Sequence, residues 1–199
     1  MQLIVATRNA HKTREIQSIL GPQFEVNDLR GYPEIPQVSE SGRTFEQNAK
    51  RKVVAVSKSI PGFVIADDSG LEVDALGGAP GIYSARYAGK NATDEDKIDK
   101  LLLELKRVSG TKGARHARFR CVIALARNGN VIGTFESIVE GTIADKARGS
   151  GGFGYDPIFI PEGFQQTFAE LPAEVKNAIS HRSKAIRRLA VTLRQLELR

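Results

Sequence analysis

A single cysteine in 199 residues removes several possibilities at once. One thiol forms neither a disulfide framework nor a cysteine-based metal site. Cys121 lies in the apolar run Phe119 to Ala126 and reads as a buried filler. A chain without disulfides suits a reducing compartment, so a cytoplasmic location is expected. Tryptophan is absent, and the three histidines, His11, His116 and His181, do not combine into metal-ligand spacing. No segment approaches the ~20 apolar residues of a membrane helix, so no membrane association is expected. The opening Met-Gln-Leu-Ile-Val-Ala-Thr has no basic n-region or cleavage site, so no signal peptide is expected. Internal repeats, low-complexity segments and long linkers are missing too. The expectation is one domain over residues 1–199, with two lobes around one cleft as a variant of it.

What the chain does carry is an excess of positive charge, +6 from 29 Lys and Arg against 23 Asp and Glu. Much of it falls late, at Lys176, Arg182, Lys184, Arg187, Arg188, Arg194 and Arg199. Such a balance suits nucleic acid, a membrane surface or a phosphate-rich small substrate. A helix–turn–helix signature and an aromatic-interleaved basic run are both lacking, which argues against a nucleic-acid partner. Basic side chains on a solvated helix face are the plain explanation.

Strand-like and helix-like segments alternate. Leu3 to Ala6 reads as a strand, and Thr7-Arg8-Asn9 turns into a helix over about Ala10 to Leu20, stopped by Gly21-Pro22. Residues 28 to 43 read as a loop carrying Glu34 and Glu40. Thr44-Phe-Glu-Gln47 fits a capping box, and Phe45, Ala49, Val53, Val56 and Ile60 mark the buried face of the helix that follows. Phe63 to Ala66 is a short strand. Thr93 caps a third helix with the stripe Ile98, Leu101, Leu102 and Leu105. Ala117 to Ala126 and Val131 to Glu140 form a hairpin about Asn128-Gly129. A glycine-rich loop spans 149 to 157, a short strand follows at Ile158 to Ile160, and a last helix starts near Ser180. The interleaving and the hairpin together predict an α/β fold with a mixed sheet.

Four places could carry chemistry. The most informative is Asp67-Asp68-Ser69-Gly70, which the strand Phe63 to Ala66 delivers at its end. Adjacent carboxylates repel; a cation relieves this, as does one acid turning away or taking a proton. The competing reading is a solvated turn of ordinary turn residues. The second place is the helix start Thr7-Arg8-Asn9-Ala10-His11-Lys12, where backbone N–H groups favour an anion. Its plainer reading has Asn9 as a cap and Lys12 in solvent.

The third place is Gly149-Ser-Gly-Gly-Phe-Gly-Tyr-Asp-Pro157. It contains Gly-x-Gly-x-x-Gly but opens no helix, so a dinucleotide reading fails. The better expectation is a mobile loop offering Phe153 or Tyr155 as a stacking face and Asp156 as an acceptor; the alternative puts Phe153 in the core. The fourth is Lys176 with Ser180-His181-Arg182, donors suited to a base carbonyl or a phosphate. Its alternative is a capped surface helix with Arg182 in solvent. Around these stand the acids Glu34, Glu40 and Glu46. Glu46 also suits a helix N-terminus, and Glu34 and Glu40 also suit solvated loop charge.

In order, Thr7-x-Asn9-x-x-Lys12, Thr44-Phe45-x-x-Asn48-Ala49-x-x-Lys52, the run Ala66 to Tyr87, and Gly152-Phe-Gly-Tyr-Asp-Pro157 with Ile179-Ser-His-Arg182 resemble the Ham1-like non-canonical purine nucleoside triphosphate pyrophosphatases, in their bacterial form. The resemblance spans essentially the whole chain. It implies an elongated mixed β-sheet flanked by helices, two lobes around a central nucleotide-binding cleft, and a homodimer. It also implies that water attacks the α-phosphorus of ITP, dITP or XTP with Mg2+ required. Under it Thr7, Arg8, Asn9, Ala10, His11, Lys12 and Lys52 contact the phosphates, with Ser69 also binding substrate. Glu40 and Asp68 hold the metal, and Asp68 is the proton acceptor. Phe153, with Gly154 and Tyr155, contacts the base. Asp156, Lys176, His181 and Arg182 read its edge.

Asp67 is left as a supporting neighbour. Gly77 to Gly81 reads as scaffold or dimer contact. Two departures stand out: many bacterial members have Gly at Arg8, and many have two consecutive acids where this chain has Ser39-Glu40, leaving Glu34 as the other candidate ligand. Rival readings are a Maf-type pyrophosphatase of modified pyrimidine triphosphates, and a nucleic-acid-binding protein using its basic last helix.

Overall fold

Six strands form one sheet in the order β2-β1-β3-β4-β5-β6 in the computed structural model, which describes residues 1–108 and 115–197. The strands are β1 (Gln2–Val5), β2 (Glu25–Asp28), β3 (Phe63–Val73), β4 (His116–Arg127), β5 (Asn130–Ile143) and β6 (Phe159–Pro161). The helices are α1 (Ala10–Leu20), α2 (Phe45–Ser57), α3 (Asp94–Val108), α4 (Ala173–Ile179) and α5 (His181–Glu197). β1 pairs in parallel with both β2 and β3, whereas β5 and β6 are antiparallel. The sheet is therefore mixed, as the interleaved pattern predicts. Asn128 and Gly129, both at positive φ, make the two-residue turn between β4 and β5.

The chain divides into two compact units. The first comprises Met1–Asp68, Cys121–Ser137 and His181–Arg199. Its core joins Leu3 and Val5 of β1, Ile16 and Leu20 of α1, Ile65 of β3, Cys121, Ile123 and Leu125 of β4, and Ile186, Leu189 and Leu193 of α5. Cys121 is the buried filler expected of it. Fully burying each of the larger apolar side chains contributes about 1.5–3 kcal/mol. The second unit comprises Ser69–Arg120 and Ile138–Ser180. Its core gathers Leu71 and Val73, the α3 stripe Ile98, Leu101 and Leu105, and a ring cluster of Phe119, Phe159 and Phe168.

Caps fall where side-chain chemistry predicts. Asn9 accepts from the His11 and Lys12 amides at the start of α1. Thr44 accepts from Gln47 N–H at the start of α2, while Gln47 reaches back to Arg43 N–H at 2.8 Å. Two elements go beyond the sequence expectations. β2 is a short edge strand, Glu-Val-Asn-Asp, with too little alternation to stand out. α4 has seven residues, with only Val175 and Ile179 packing on the core, too short a stripe to stand out.

The strand that carries the acids is a third difference. β3 does not end at Ala66. It runs eleven residues, so Asp67-Asp68-Ser69-Gly70 lies inside a strand and is not a turn. β1 pairs with β3 only over Phe63 to Ile65, so beyond it turn propensity loses to tertiary context, with β4 the neighbour on the other side and cations fixing both acids.

Candidate active site

Being mid-strand solves the repulsion between the two acids. Successive strand side chains leave opposite faces, so the carboxylates diverge and each finds its own cations. Both are buried. Asp67 accepts from Arg182 Nε at 2.8 Å, from Lys12 Nζ in a very short contact, and from the Cys121 thiol at 3.3 Å. Arg182 continues to Glu15, with Nη1 to Oε2 at 2.6 Å. The result is an alternating chain, Glu15–Arg182–Asp67–Lys12. Burial alone would raise the Asp67 carboxyl, but Arg182 and Lys12 outweigh it and hold it well below its ordinary value.

Asp68 meets a different environment. Its Oδ1 accepts from Lys52 Nζ at 2.7 Å, and the same ammonium donates to Glu40 Oε1 at 2.9 Å and to the Asp67 carbonyl at 2.8 Å. Asp68 Oδ2 is buried without a hydrogen-bond partner among the described residues. Burial therefore dominates and pushes this carboxyl up, against Lys52 and Lys12 and with help from Glu40. Lys52 shifts the other way from burial: Asp68 and Glu40 hold it as an ammonium. Two adjacent acids thus have opposite protonation behaviour, which is how sites assign separate roles to like groups.

The donor set fits a hard cation. Asp68 Oδ2 is a buried acceptor in want of a partner, and Glu40 shares Lys52 with Asp68. Among the described residues no group of three or more His, Cys, Asp or Glu gathers as a metal site. Two carboxylates leave most ligand positions to water and phosphate oxygens, the pattern that suits Mg2+. Glu34 is exposed, so Glu40 is the acid that reaches Lys52. Glu46 pairs with Lys50 on the surface of α2.

At the start of α1, Asn9 caps as its plain reading has it, and Thr7 Oγ1 accepts from Asn9 N–H. Lys12 is not in solvent, because Asp67 draws it inward. Arg8 donates to the carbonyls of Ile35 at 2.8 Å and Tyr32 at 3.3 Å, bracing the following loop. Ala10 is half-buried; His11 is exposed and its Nδ1 meets Arg14. Ser69 follows Asp68 in β3, half-buried.

In the second unit Lys176 and Asp156 form a buried pair at 2.5 Å. Asp156 also accepts from Phe153 N–H at 2.8 Å, and the Lys176 ammonium lies 5.1 Å from the Phe153 ring centroid. Phe153 is half-buried, so it retains a face. Tyr155 corrects an expectation. It is buried, donates its hydroxyl to the Ser84 carbonyl at 3.0 Å, and offers no stacking face. Burial pushes its phenol up.

The glycine-rich loop is tied down. Gly151 N–H donates to Ala169 O, and Gly154 N–H donates to Asp94 at 2.6 Å. Its glycines answer to close approach: a Cβ on Gly149 would meet the Ala169 carbonyl carbon at 2.4 Å, and one on Gly152 would meet Asp156 Oδ2 at 2.0 Å. Gly152→Ala is expected to displace Asp156 and cost about 1–3 kcal/mol, a fall in melting temperature of about 2–12 °C. Gly154→Ala shares the positive φ but has open space around the added carbon, so it should cost less. Equal losses in thermal melts would show that the approach to Asp156 is immaterial.

His181 and Arg182 open α5 and both are buried, which overturns the picture of a solvated surface arginine. This bears on the basic C-terminus as well. Lys176 and Arg182 are inside the protein, and Arg188 donates to the Glu136 carbonyl. Arg199 lies outside the described residues. Two of these cations are therefore internal ion pairs, while Lys184, Arg187, Arg188 and Arg194 stay on the exposed face of α5.

Two contributions escape the sequence reading: Glu15 and the thiol hydrogen bond of Cys121. Glu15 lies three residues after Lys12, a same-face helical spacing that marks a neighbour of a functional lysine.

These features define an α/β protein with a buried acid–lysine centre in its first unit. A sequence model of the Ham1 family matches residues 3–192. The chain is 51% identical to the dITP/XTP pyrophosphatase of Geobacter sulfurreducens over 93% of this chain and 92% of the other. It is 47% identical to that of Shouchella clausii over 96% of each. Among solved structures it resembles the Staphylococcus aureus Ham1 protein, with TM-score 0.84 and 42% identity, covering 98% of this chain and 99% of that one. A HAM1 protein from Coxiella burnetii gives TM-score 0.86 at 40% identity with the same coverage. The chain belongs to the Ham1 family.

Proposed function

We propose that this protein hydrolyses deaminated purine nucleoside triphosphates (dITP, XTP and ITP) to the monophosphate and pyrophosphate, clearing them from the nucleotide pool. The observation that carries this is Asp68: a buried carboxylate, raised by burial, with one oxygen on Lys52 and the other unpartnered. Relatives at 47–51% identity are named dITP/XTP pyrophosphatases.

In this reading Asp68 Oδ2 takes the proton of a water that attacks the α-phosphorus, and a raised carboxyl is a better base than an ordinary one. Lys12 and Lys52 take the negative charge of the polyphosphate, with Thr7, Arg8, Asn9, Ala10, His11 and Ser69 around it. Glu40 and Asp68 would hold Mg2+, which when bound neutralises phosphate charge. Phe153, next to Gly154, stacks on the base; Tyr155 contributes from the core by fixing the loop. Asp156, Lys176, His181 and Arg182 serve base recognition. Deamination turns a 6-amino donor into a 6-oxo acceptor, so a site presenting donors there accepts the 6-oxo base and leaves a 6-amino group opposed. Homodimer formation and a cytoplasmic location belong to the same proposal.

The test is pyrophosphate release from ITP, XTP and dITP beside ATP and GTP, with magnesium and with chelator. Release is expected from the first three only, and none after chelation. Equal rates on all five would remove the specificity; no release from any would remove the activity.

A further inference from the structure

The acid Glu40 sits on an irregular segment, yet its carboxylate meets a buried ammonium at 2.9 Å. Something must hold that segment, because an untethered acid spends little time at one point. The tether is visible in the run leading into α2. Arg43 N–H donates to Gln47 Oε1 at 2.8 Å, Gly42 N–H donates to Asn48 Oδ1 at 2.8 Å, and Glu40 accepts from Lys52. As the chain steps back from the helix start, its partners step forward along the helix. The segment is folded back onto the helix it precedes. Asn48 and Lys52 are four residues apart and share one face of α2.

Asn48 is the only one of these ties whose hydrogen bond is buried at both ends. The residue has no exposed surface at all. Its Oδ1 is used, while its Nδ2 has no partner among the described residues. A buried donor left without a partner is unfavourable. An apolar residue would continue the stripe of Phe45, Ala49 and Val53 but would leave the buried Gly42 N–H without its acceptor. What the amide supplies here is that acceptor. Gly42 gives the independent view from the other side. A Cβ there would lie 2.6 Å from Asn48 Oδ1 and 2.8 Å from Gln47 Cβ. The backbone of the segment is pressed against the helix at this one residue.

We propose that Asn48 is a positioning residue for Glu40: it anchors Gly42 against α2 and so sets the Glu40 carboxylate on Lys52 beside Asp68. The metal consequence rests on the Glu40 role proposed above, while the anchoring itself does not. Asn48→Ala leaves Gly42 N–H without its acceptor and frees the segment. Gly42→Ala pushes the segment off the helix by a different route.

Two readouts separate the claims. Hydrogen–deuterium exchange of residues 38–44 is expected to rise about 2–10-fold in Asn48→Ala, the loss of one hydrogen bond, and also in Gly42→Ala. Asn48→Asp keeps the acceptor and is expected to restore protection. The Mg2+ concentration for half-maximal pyrophosphate release is expected to rise about 10-fold or more in both variants and in Glu40→Gln, with less change in kcat at saturating metal. Unchanged exchange in Asn48→Ala and Gly42→Ala would overturn the anchor. A metal requirement raised by Glu40→Gln but not by either anchor variant would overturn the link to Glu40. If Glu40→Gln leaves the metal requirement alone, the metal role of Glu40 falls and exchange alone decides the anchor. Should Asn48→Ala fail to fold, Gly42→Ala carries both measurements.

Discussion

Asp68→Asn is expected to lower kcat by about 10²–10⁴-fold, the range that a positioned general base supplies. The protein should stay folded. The substitution replaces a buried carboxylate whose ionised form is penalised by burial, and Lys52 keeps Glu40 and the Asp67 carbonyl as acceptors. Its melting temperature should therefore match or exceed that of the wild type. The pH profile gives a second check. Because burial raises this carboxyl, the wild-type rate should fall on acidification from a point above the free aspartate value of about 3.9. Turnover by a well-folded Asp68→Asn variant at wild-type rate would move the base to another group.

Its neighbour should behave in the opposite way. Asp67→Asn leaves the half-buried Lys12 and the buried Arg182 without their shared counter-ion, and Arg182 with Glu15 alone. Breaking a buried pair from one side costs about 3–5 kcal/mol. At about 2–4 °C per kcal/mol for a chain of this size, the melting temperature should drop by about 6–20 °C. The sign of the pH dependence follows from the depressed carboxyl. Asp67 contributes its full stability above the unfolded-chain value near 3.9, and that contribution is lost as pH falls towards the depressed folded-state value. The wild type should thus lose melting temperature on acidification below about pH 4, and the variant should show a shallower slope there. A variant melting within two or so degrees of the wild type at neutral pH, about the effect of 1 kcal/mol or less, would show that the ion chain is not what holds these elements.

The contrast between these acids was only half legible in the sequence. The motif Asp67-Asp68-Ser69-Gly70 marks the place, and the family resemblance implies Asp68 as the proton acceptor with Asp67 beside it. Their placement inside a strand was not legible, because Asp, Ser and Gly locally favour a turn. What overrides this is tertiary. Arg182 is 115 positions away from Asp67, and Lys12 is 55 away. No local pattern announces such partners, so for Arg182 the sequence leaves a solvated surface position open beside the reading of it as a site donor. Caps and stripes fared better, since Asn9, Thr44 and Thr93 act within a turn of themselves and the Asn128-Gly129 turn is chemically explicit. Tyr155 was misplaced for a related reason. A tyrosine in a glycine-rich run looks exposed until Ser84, 71 residues distant, supplies an acceptor for its hydroxyl.

The alternating chain Glu15–Arg182–Asp67–Lys12 has a consequence for biosynthesis. Glu15 and Arg182 are 167 residues apart, and the first unit is assembled from three separate stretches of chain. A polypeptide emerging from the ribosome makes α1 and β3 long before it receives Arg182. Until then Asp67 has Lys12 as its single cation among these partners, and the first unit lacks α5, whose Ile186, Leu189 and Leu193 complete its core. Contacts this distant in sequence close late, because the loop entropy comes first. The centre that holds Asp68 therefore matures only after α5 has been made, and a chain truncated before residue 182 carries every proposed phosphate-binding residue without the ion chain that sets Lys12.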